Sequence, residues 1–290
     1  MLHEIYCEQF HQKRIVFNPG LSVVLGTNAG DNSIGKSTFL LIVDYVFGGS
    51  TYAGTTDIIE NVGSHDIYFS FIFGEEIFKF CRNSINAHTV WKCNDSYEKV
   101  EEIGLNDYCK WLDSKYAISL PELSFRDAVG RYIRVYGKNN CDERHPLHYQ
   151  ATEKMEKACT ALLKLFDAYS PLKDTAAAAQ HSDDELIAYD FFTPNDTGAG
   201  IAYKGLVVYD LAVLSLTKLP LLVHDSVVLK QISDDAIEKI IELYSSCGKQ
   251  VIIALDKQDS YSEKTSRLLG ESAVLRLSSN GQELFGRSWG

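Results

Sequence analysis

The segment Gly30-Asp31-Asn32-Ser33-Ile34-Gly35-Lys36-Ser37 spells G-x-x-x-x-G-K-[ST], between an apolar run (Leu21-Ser22-Val23-Val24-Leu25) and a helix-like stretch from Thr38 to Phe47. A phosphate-binding loop requires this strand-loop-helix setting. A triphosphate needs several inward-pointing backbone N–H groups. Gly30 and Gly35 supply conformations other residues resist, Lys36 reaches the β/γ-phosphates, and the Ser37 hydroxyl ligates Mg²⁺. The N-terminus of the following helix adds its dipole. The residues expected to contact a nucleoside triphosphate are Asn28, Gly30, Asp31, Asn32, Ser33, Ile34, Gly35, Lys36, Ser37 and Thr38.

A second element sits in the C-terminal third. Lys218-Leu219-Pro220-Leu221-Leu222-Val223-His224-Asp225 is a buried-strand run ending in an acid. This is the form of a Walker B strand, whose aspartate orients Mg²⁺ opposite Ser37. Ser37 and Asp225 are therefore the expected metal-proximal pair. A helix (Asp234 to Ser245) and another buried strand (Gln250 to Leu255) follow. Strands separated by helices imply an α/β fold with a mostly parallel sheet covered on both faces. Before Walker B, Asn195 to Lys204, with Thr197-Gly198-Ala199-Gly200 at its centre, leads into a helix from Gly205 to Leu216. That makes a second phosphate-seeking helix start, or an ordinary N-cap turn.

Elsewhere the pattern reads as strands at Ile5 to Phe10 and Ile15 to Phe17, then an antiparallel hairpin with arms Asp66–Phe73 and Ile77–Arg82. His88 to Cys93 adds a strand to this β lobe. Helices are expected at Leu105 to Tyr116, Phe125 to Tyr136, and Ala151 to Tyr169, where one face is apolar. Ser170 to Gln180 contains four consecutive alanines and matches no turn chemistry. It is either a natural linker or a place where a longer insertion has been removed.

With 45% hydrophobic residues in 290, the chain can bury a sizeable core. No apolar run approaches the roughly 18 residues of a membrane span, and Met1-Leu2-His3-Glu4 lacks a signal-peptide layout, so a cytoplasmic protein is expected. Seven scattered cysteines without C-x-x-C spacing argue for reduced thiols. Cys141, His145 and His148 are close enough to ligate a metal, or form a polar loop. A net charge of −11 disfavours a nucleic-acid-coated surface but leaves room for a local basic groove.

In this order of parts the chain resembles the ATPase head of the structural-maintenance-of-chromosomes (SMC) class, including the double-strand-break repair and RecN-like members of the ABC ATPase superfamily. The resemblance implies ATP and Mg²⁺ as cofactors. It also implies a single composite head, with residues 1–172 as its N-terminal half, 173–181 as a linker replacing a coiled-coil insertion, and 182–290 as its C-terminal half. Thr197, Gly198, Ala199 and Gly200 match a degenerate signature motif, which in the family contacts the γ-phosphate held by the opposite protomer. The implied assembly is a homodimer sandwiching two ATPs, with DNA and accessory or effector subunits as partners and no membrane. His224-Asp225-Ser226 resembles the form in divergent bacterial SMC-like defence proteins.

The departures carry chemistry. Ser226 stands where the family places a catalytic glutamate, and a serine cannot accept the attacking water's proton at neutral pH. After the following strand come Leu255, Asp256 and Lys257, with no switch histidine. Either Asp256 substitutes or hydrolysis is slow, so the catalytic candidates are Asp225, Ser226 and Asp256. No glutamine occurs from Thr38 to Tyr149, leaving Tyr136 or Gln150 for the glutamine-loop role. Candidate DNA contacts are Lys13 and Arg14, and Arg126, Arg131, Arg134 and Lys138 on one helical face, which would otherwise be a solvated, salt-bridged face. The expected activity is slow ATP hydrolysis coupled to DNA sensing or clamping. The other reading is a nucleotide-gated scaffold that does not turn over.

Overall fold

The computed structural model describes residues 1–31, 33–118, 123–150, 152–166, 191 and 198–289. The linker 173–181, Asn32 and Thr197 lie outside them. Along the chain the strands are β1 (Leu2–Tyr6), β2 (Arg14–Val16), β3 (Leu21–Leu25), β4 (Asp66–Phe73), β5 (Glu76–Asn83), β6 (Thr89–Cys93), β7 (Lys99–Gly104), β8 (Ile133–Arg134), β9 (Leu221–His224), β10 (Gln250–Leu255) and β11 (Ala273–Arg276). The helices are α1 (Lys36–Val46), α2 (Thr56–Val62), α3 (Leu105–Tyr116), α4 (Phe125–Val129), α5 (Met155–Leu165), α6 (Ala199–Leu216), α7 (Ser226–Leu229), α8 (Asp234–Ser246) and α9 (Glu263–Glu271).

The strands form two sheets. An antiparallel one runs β2-β1-β4-β5-β6-β7, and a parallel one runs β11-β3-β10-β9-β8. In β4 the period-two pattern buries Ile67, Phe69 and Phe71 on one face. Gly74, at φ 63°, and Glu75 close the two-residue turn into β5. Helix α3 covers this lobe with aromatic rings, Trp111 lying 4.7 Å from Phe80 and Tyr116 4.9 Å from Phe73, centroid to centroid. Strands β3 and β10 are buried at every position, as sheets covered on both faces demand. The parallel sheet interleaves β3 and β8 from before the 167–190 stretch with β9, β10 and β11 from after it. Both parts of the chain therefore build one core.

Helix α1 is apolar nearly all round and packs between the sheets, which is why nine of its residues are buried. The Gln250 side chain joins the sheets, donating to the Leu2 carbonyl at 2.8 Å and accepting from the Leu2 N–H at 3.1 Å. Arg82, buried under the last turn of α1, donates to the carbonyls of Tyr45, Gly49 and Ala87 and lies 3.6 Å from the Tyr45 ring centroid.

Several expectations need correction. The first strand runs Leu2–Tyr6 and not Ile5 to Phe10, because the chain turns at Cys7, whose N–H donates to the Lys13 carbonyl. The helix expected over Phe125 to Tyr136 ends at Val129, passes through a 3-10 turn and becomes β8 beside β9. Its basic side chains accordingly share no exposed face. Arg126, Arg131, Arg134 and Lys138 are 18, 2, 0 and 3% exposed, and pair with Asp44, Glu153, Asp210 and Asp44 respectively. They are internal ion pairs, not a DNA-contacting row.

Helix α6 starts at Ala199, six residues before the expected Gly205, and by length and composition alone is long and apolar enough to cross a membrane. It instead buries Leu206, Val207, Leu211 and Leu214 in the core and presents Asp210 to Arg134. All seven cysteines are free. Among the described residues no group of His, Cys, Asp and Glu is arranged to hold a metal ion. His145 pairs with Asp142 and stacks on His148, the polar-loop alternative.

The Arg134–Asp210 pair belongs to a buried network. The guanidinium makes two bonds to Asp210, the His224 Nε2–H donates to the same carboxylate at 2.9 Å, and Tyr244 donates to His224 Nδ1 at 2.6 Å. Burial holds the imidazole below its ordinary range despite Asp210. Against burial, Arg134 holds the Asp210 carboxyl below its own. Both shifts make the unfolded chain bind more protons, so both stabilise at high pH and are lost on acidification. Urea unfolding should show stability falling below pH ~6.5, the free-histidine value, and again below pH ~4. His224→Gln should shrink the first fall, with His65 retaining its share, and Arg134→Met should cost about 3–5 kcal/mol. A flat profile between pH 7 and 4 would contradict a buried neutral His224.

Candidate functional site

In the parallel sheet, Leu25 aligns with Leu255, and His224 with Ile253, so the C-terminal ends of β3, β10 and β9 open at one edge. The loops leaving that edge carry Gly26 to Gly35, Asp256 and Asp225. Crevices outside the carboxyl ends of parallel strands are where open α/β sheets bind ligands. A cleft of about 760 Å³ lies there, its wall drawn from the loop before α1 and the first turn of that helix, from Tyr136, from α7 and the turn after it, and from the residues that follow β10.

Gly35 caps α1 at φ 95°, in the left-handed region, and a Cβ there would lie 2.5 Å from that of Leu284. No side chain caps the first turn of α1, and no acidic residue lies in it. Its orphan N–H groups and positive dipole end therefore face the cleft as an anion site. Lys36 is 7% exposed, lies 2.7 Å from Asp256 Oδ1, and donates to the Asp31 carbonyl at 2.8 Å. Gly26 permits this approach, since a Cβ there would sit 1.9 Å from the same carboxylate oxygen. An internal carboxylate thus meets the ammonium expected to meet a phosphate.

Asp225 is fully buried behind Ser226. Its Oδ2 accepts the Tyr136 N–H at 3.0 Å and its Oδ1 the Ser226 hydroxyl at 3.2 Å. Ser226 itself lines the cleft. Tyr136 is 70% exposed and projects over it, whereas Gln150 is not on its wall. Of the expected loop residues, Gly30 and Ser33 through Thr38 line the cleft. Asn28 instead pairs with Asp259, and Asp31 accepts the Ser279 hydroxyl at 2.7 Å, a bond that holds its carboxyl below the usual range.

Gly198, Ala199 and Gly200 do not line this cleft. They begin α6, where Gly200 packs so closely on the Gln231 carbonyl that a Cβ would lie 2.6 Å away. Residues not anticipated from the sequence complete the wall: Lys230, Lys257 and Tyr261. Burial pushes the Tyr261 hydroxyl up to about 12, keeping it a neutral donor. Lys257 adopts φ 56°, and only its position one residue beyond Asp256 hinted at it. The cleft can hold a polyanion, with Lys36, Lys230 and Lys257 to neutralise it.

A sequence-family profile described as "Uncharacterised protein conserved in bacteria (DUF2326)" matches residues 172–289. No curated protein matches the chain in sequence. Among solved structures, an SMC head bound to the C-winged helix domain of ScpA superposes with a TM-score of 0.52 at 12% identity, over 96% of this chain and 93% of that one. The SMC head domain from Thermotoga maritima gives 0.48 at 15%, covering 96% and 94%. An Smc head with an extended coiled coil, bound to the C-terminal domain of ScpA derived from Pyrococcus furiosus, gives 0.49 at 11%, covering 99% and 95%. With its parallel and antiparallel sheets, this chain has the α/β fold of an SMC-type ATPase head, as its order of motifs implies.

Proposed function

We propose that this chain is an ATP-binding head that dimerises around two ATP–Mg²⁺ and hydrolyses them slowly, the cycle serving to sense or clamp DNA in the cytoplasm, in bacterial anti-phage defence. The observation that carries the nucleotide reading is the uncapped start of α1, with Lys36 and Ser37 beside it, at the edge where β9 delivers Asp225. Ser37 and Asp225 would hold Mg²⁺, which would neutralise charge on the terminal phosphates. Asp225 keeps carboxylate lone pairs beyond its two described bonds, but being fully buried it would reach the metal only if Ser226 moved aside.

The dimer reading is supported by the start of α6, which packs on the Gln231 and Ile232 backbone of its own chain and does not line its own cleft. DNA contact is left to Lys13 and Arg14, both half-exposed or more and each paired with a glutamate. Defence rests on the likeness of His224-Asp225-Ser226 alone. A second reading, a nucleotide-gated scaffold holding partner subunits without turnover, is favoured by Ser226 and by the engagement of Asp256 with Lys36.

Isothermal titration with a non-hydrolysable ATP analogue tests the site. Lys36→Ala should abolish binding while leaving the fold intact, and wild-type affinity in the variant would remove the nucleotide assignment.

Gly198→Arg tests the dimer. Gly198 has φ −75°, a backbone conformation open to any residue, whereas a Cβ at Gly200 would meet the Gln231 carbonyl. Monomer affinity for ATP should be nearly unchanged while ATP-induced dimerisation, followed by light scattering, is lost. Equal loss of both would place this helix start in the same chain's site.

Turnover separates the two readings. Asp256→Asn should tighten ATP binding by removing the internal anion from Lys36, and should slow hydrolysis about 10²–10⁴-fold if this carboxylate is the base. Ser226→Glu should speed hydrolysis. No turnover in wild type or Ser226→Glu, with an intact ATP dimer, would establish the scaffold.

A further inference from the structure

A second cavity, of about 280 Å³, adjoins the phosphate cleft and shares Gly35, Thr38 and Tyr136 with it. Its far wall is the segment after β11, with Phe285, Arg287 and Trp289 facing the phosphate loop. That volume is below the ~300 Å³ at which whole drug-sized ligands are held, so it suits part of a ligand extending from the larger cleft. Ser226 and Asp256, the residues suited to a terminal phosphate, line the larger cleft only. A nucleotide with its phosphates on the loop and its γ end there points its α-phosphate end past Thr38 toward the smaller cavity.

The segment is fixed in place. The Leu284 N–H donates to the Ile34 carbonyl at 3.0 Å, and its carbonyl accepts the His11 N–H at 2.8 Å. Ser279 holds Asp31, and Arg287 donates to the Asn61 carbonyl. The Phe285 ring packs against Phe10 at 5.5 Å, His65 at 5.7 Å and Trp289 at 5.7 Å, leaving Trp289 outermost in a connected aromatic set. A preset aromatic face costs little ordering entropy when a planar ligand arrives.

We propose that residues 278–289 form the base side of the nucleotide site, with a purine base entering the smaller cavity and stacking on Trp289. This rests on the reading of the larger cleft as a nucleotide site. It goes further in assigning base recognition to a segment that carries no nucleotide motif and that packs against the phosphate loop from the other end of the sequence.

The test is titration of wild type, Trp289→Ala and Trp289→Phe with ATP–Mg²⁺, CTP–Mg²⁺ and inorganic tripolyphosphate–Mg²⁺. Wild type should bind ATP more tightly than CTP. Trp289→Ala should weaken ATP about 5–150-fold, the scale of base–aromatic stacking, and leave tripolyphosphate unchanged. Trp289→Phe should recover most of the loss. ATP, but not tripolyphosphate, should quench an indole emission component that is missing in Trp289→Phe. Wild-type ATP affinity in Trp289→Ala, or equal loss of ATP and tripolyphosphate, would overturn the base assignment alone. A wild-type protein that binds neither ATP nor tripolyphosphate would overturn the nucleotide reading beneath it.

Discussion

Parallel pairing of β3, β10 and β9 is the constraint on which the remaining geometry depends. Parallel strands cannot be joined by tight turns, so each must return through a crossover, and all three emerge at the same edge. That arrangement brings the loop after β3, Asp225 and Asp256 to one edge of the sheet although they are separated by some 200 residues of sequence. A slip of β10 against β3 by one residue would turn the buried run Gln250–Leu255 over and carry Asp256 away from Lys36.

Around that sheet the protein places charge where apolar packing would be simpler. Arg134, Asp210 and His224 are wholly buried, as is Asp44, which is clamped between Arg126 and Lys138. Such pairs add little net stability over a hydrophobic substitute, but removing one partner leaves an uncompensated charge. Their effect here is positional. Asp210 ties α6 to β8 and to the last residue of β9, one position before Asp225, while Arg134 accepts the Asp225 N–H at its carbonyl. The helix that begins at Ala199 and the strand that leads into Asp225 are thereby held in one network.

The cleft is already electrostatically occupied from within. Lys36 meets Asp256, and the Asp31 carbonyl completes its coordination. A phosphate entering at α1 must compete with or rearrange that carboxylate. The same contact bears on both readings of Asp256, as a general base and as an internal counter-ion that Lys36 gives up when it changes partners.

Much was legible in the sequence because it is encoded locally. Gly30, Gly35, Lys36 and Ser37 fall within eight residues and their spacing is chemically demanding, so the loop and α1 could be read directly. The 66–83 hairpin declared itself by period-two alternation around Gly74, and α3 by its period and end signals. Where tertiary context overrides local pattern, the reading failed. Arg126, Arg131, Arg134 and Lys138 have helical spacing, but Glu153, Asp210 and Asp44 draw them inside, and β9 recruits Ile133 and Arg134 as a strand. Nothing in sequence spacing could bring Leu284, Phe285 and Trp289 to Gly35, or show that Asp256 reaches Lys36. These contacts join segments some 220 to 250 residues apart, and only closure of the parallel sheet makes them neighbours.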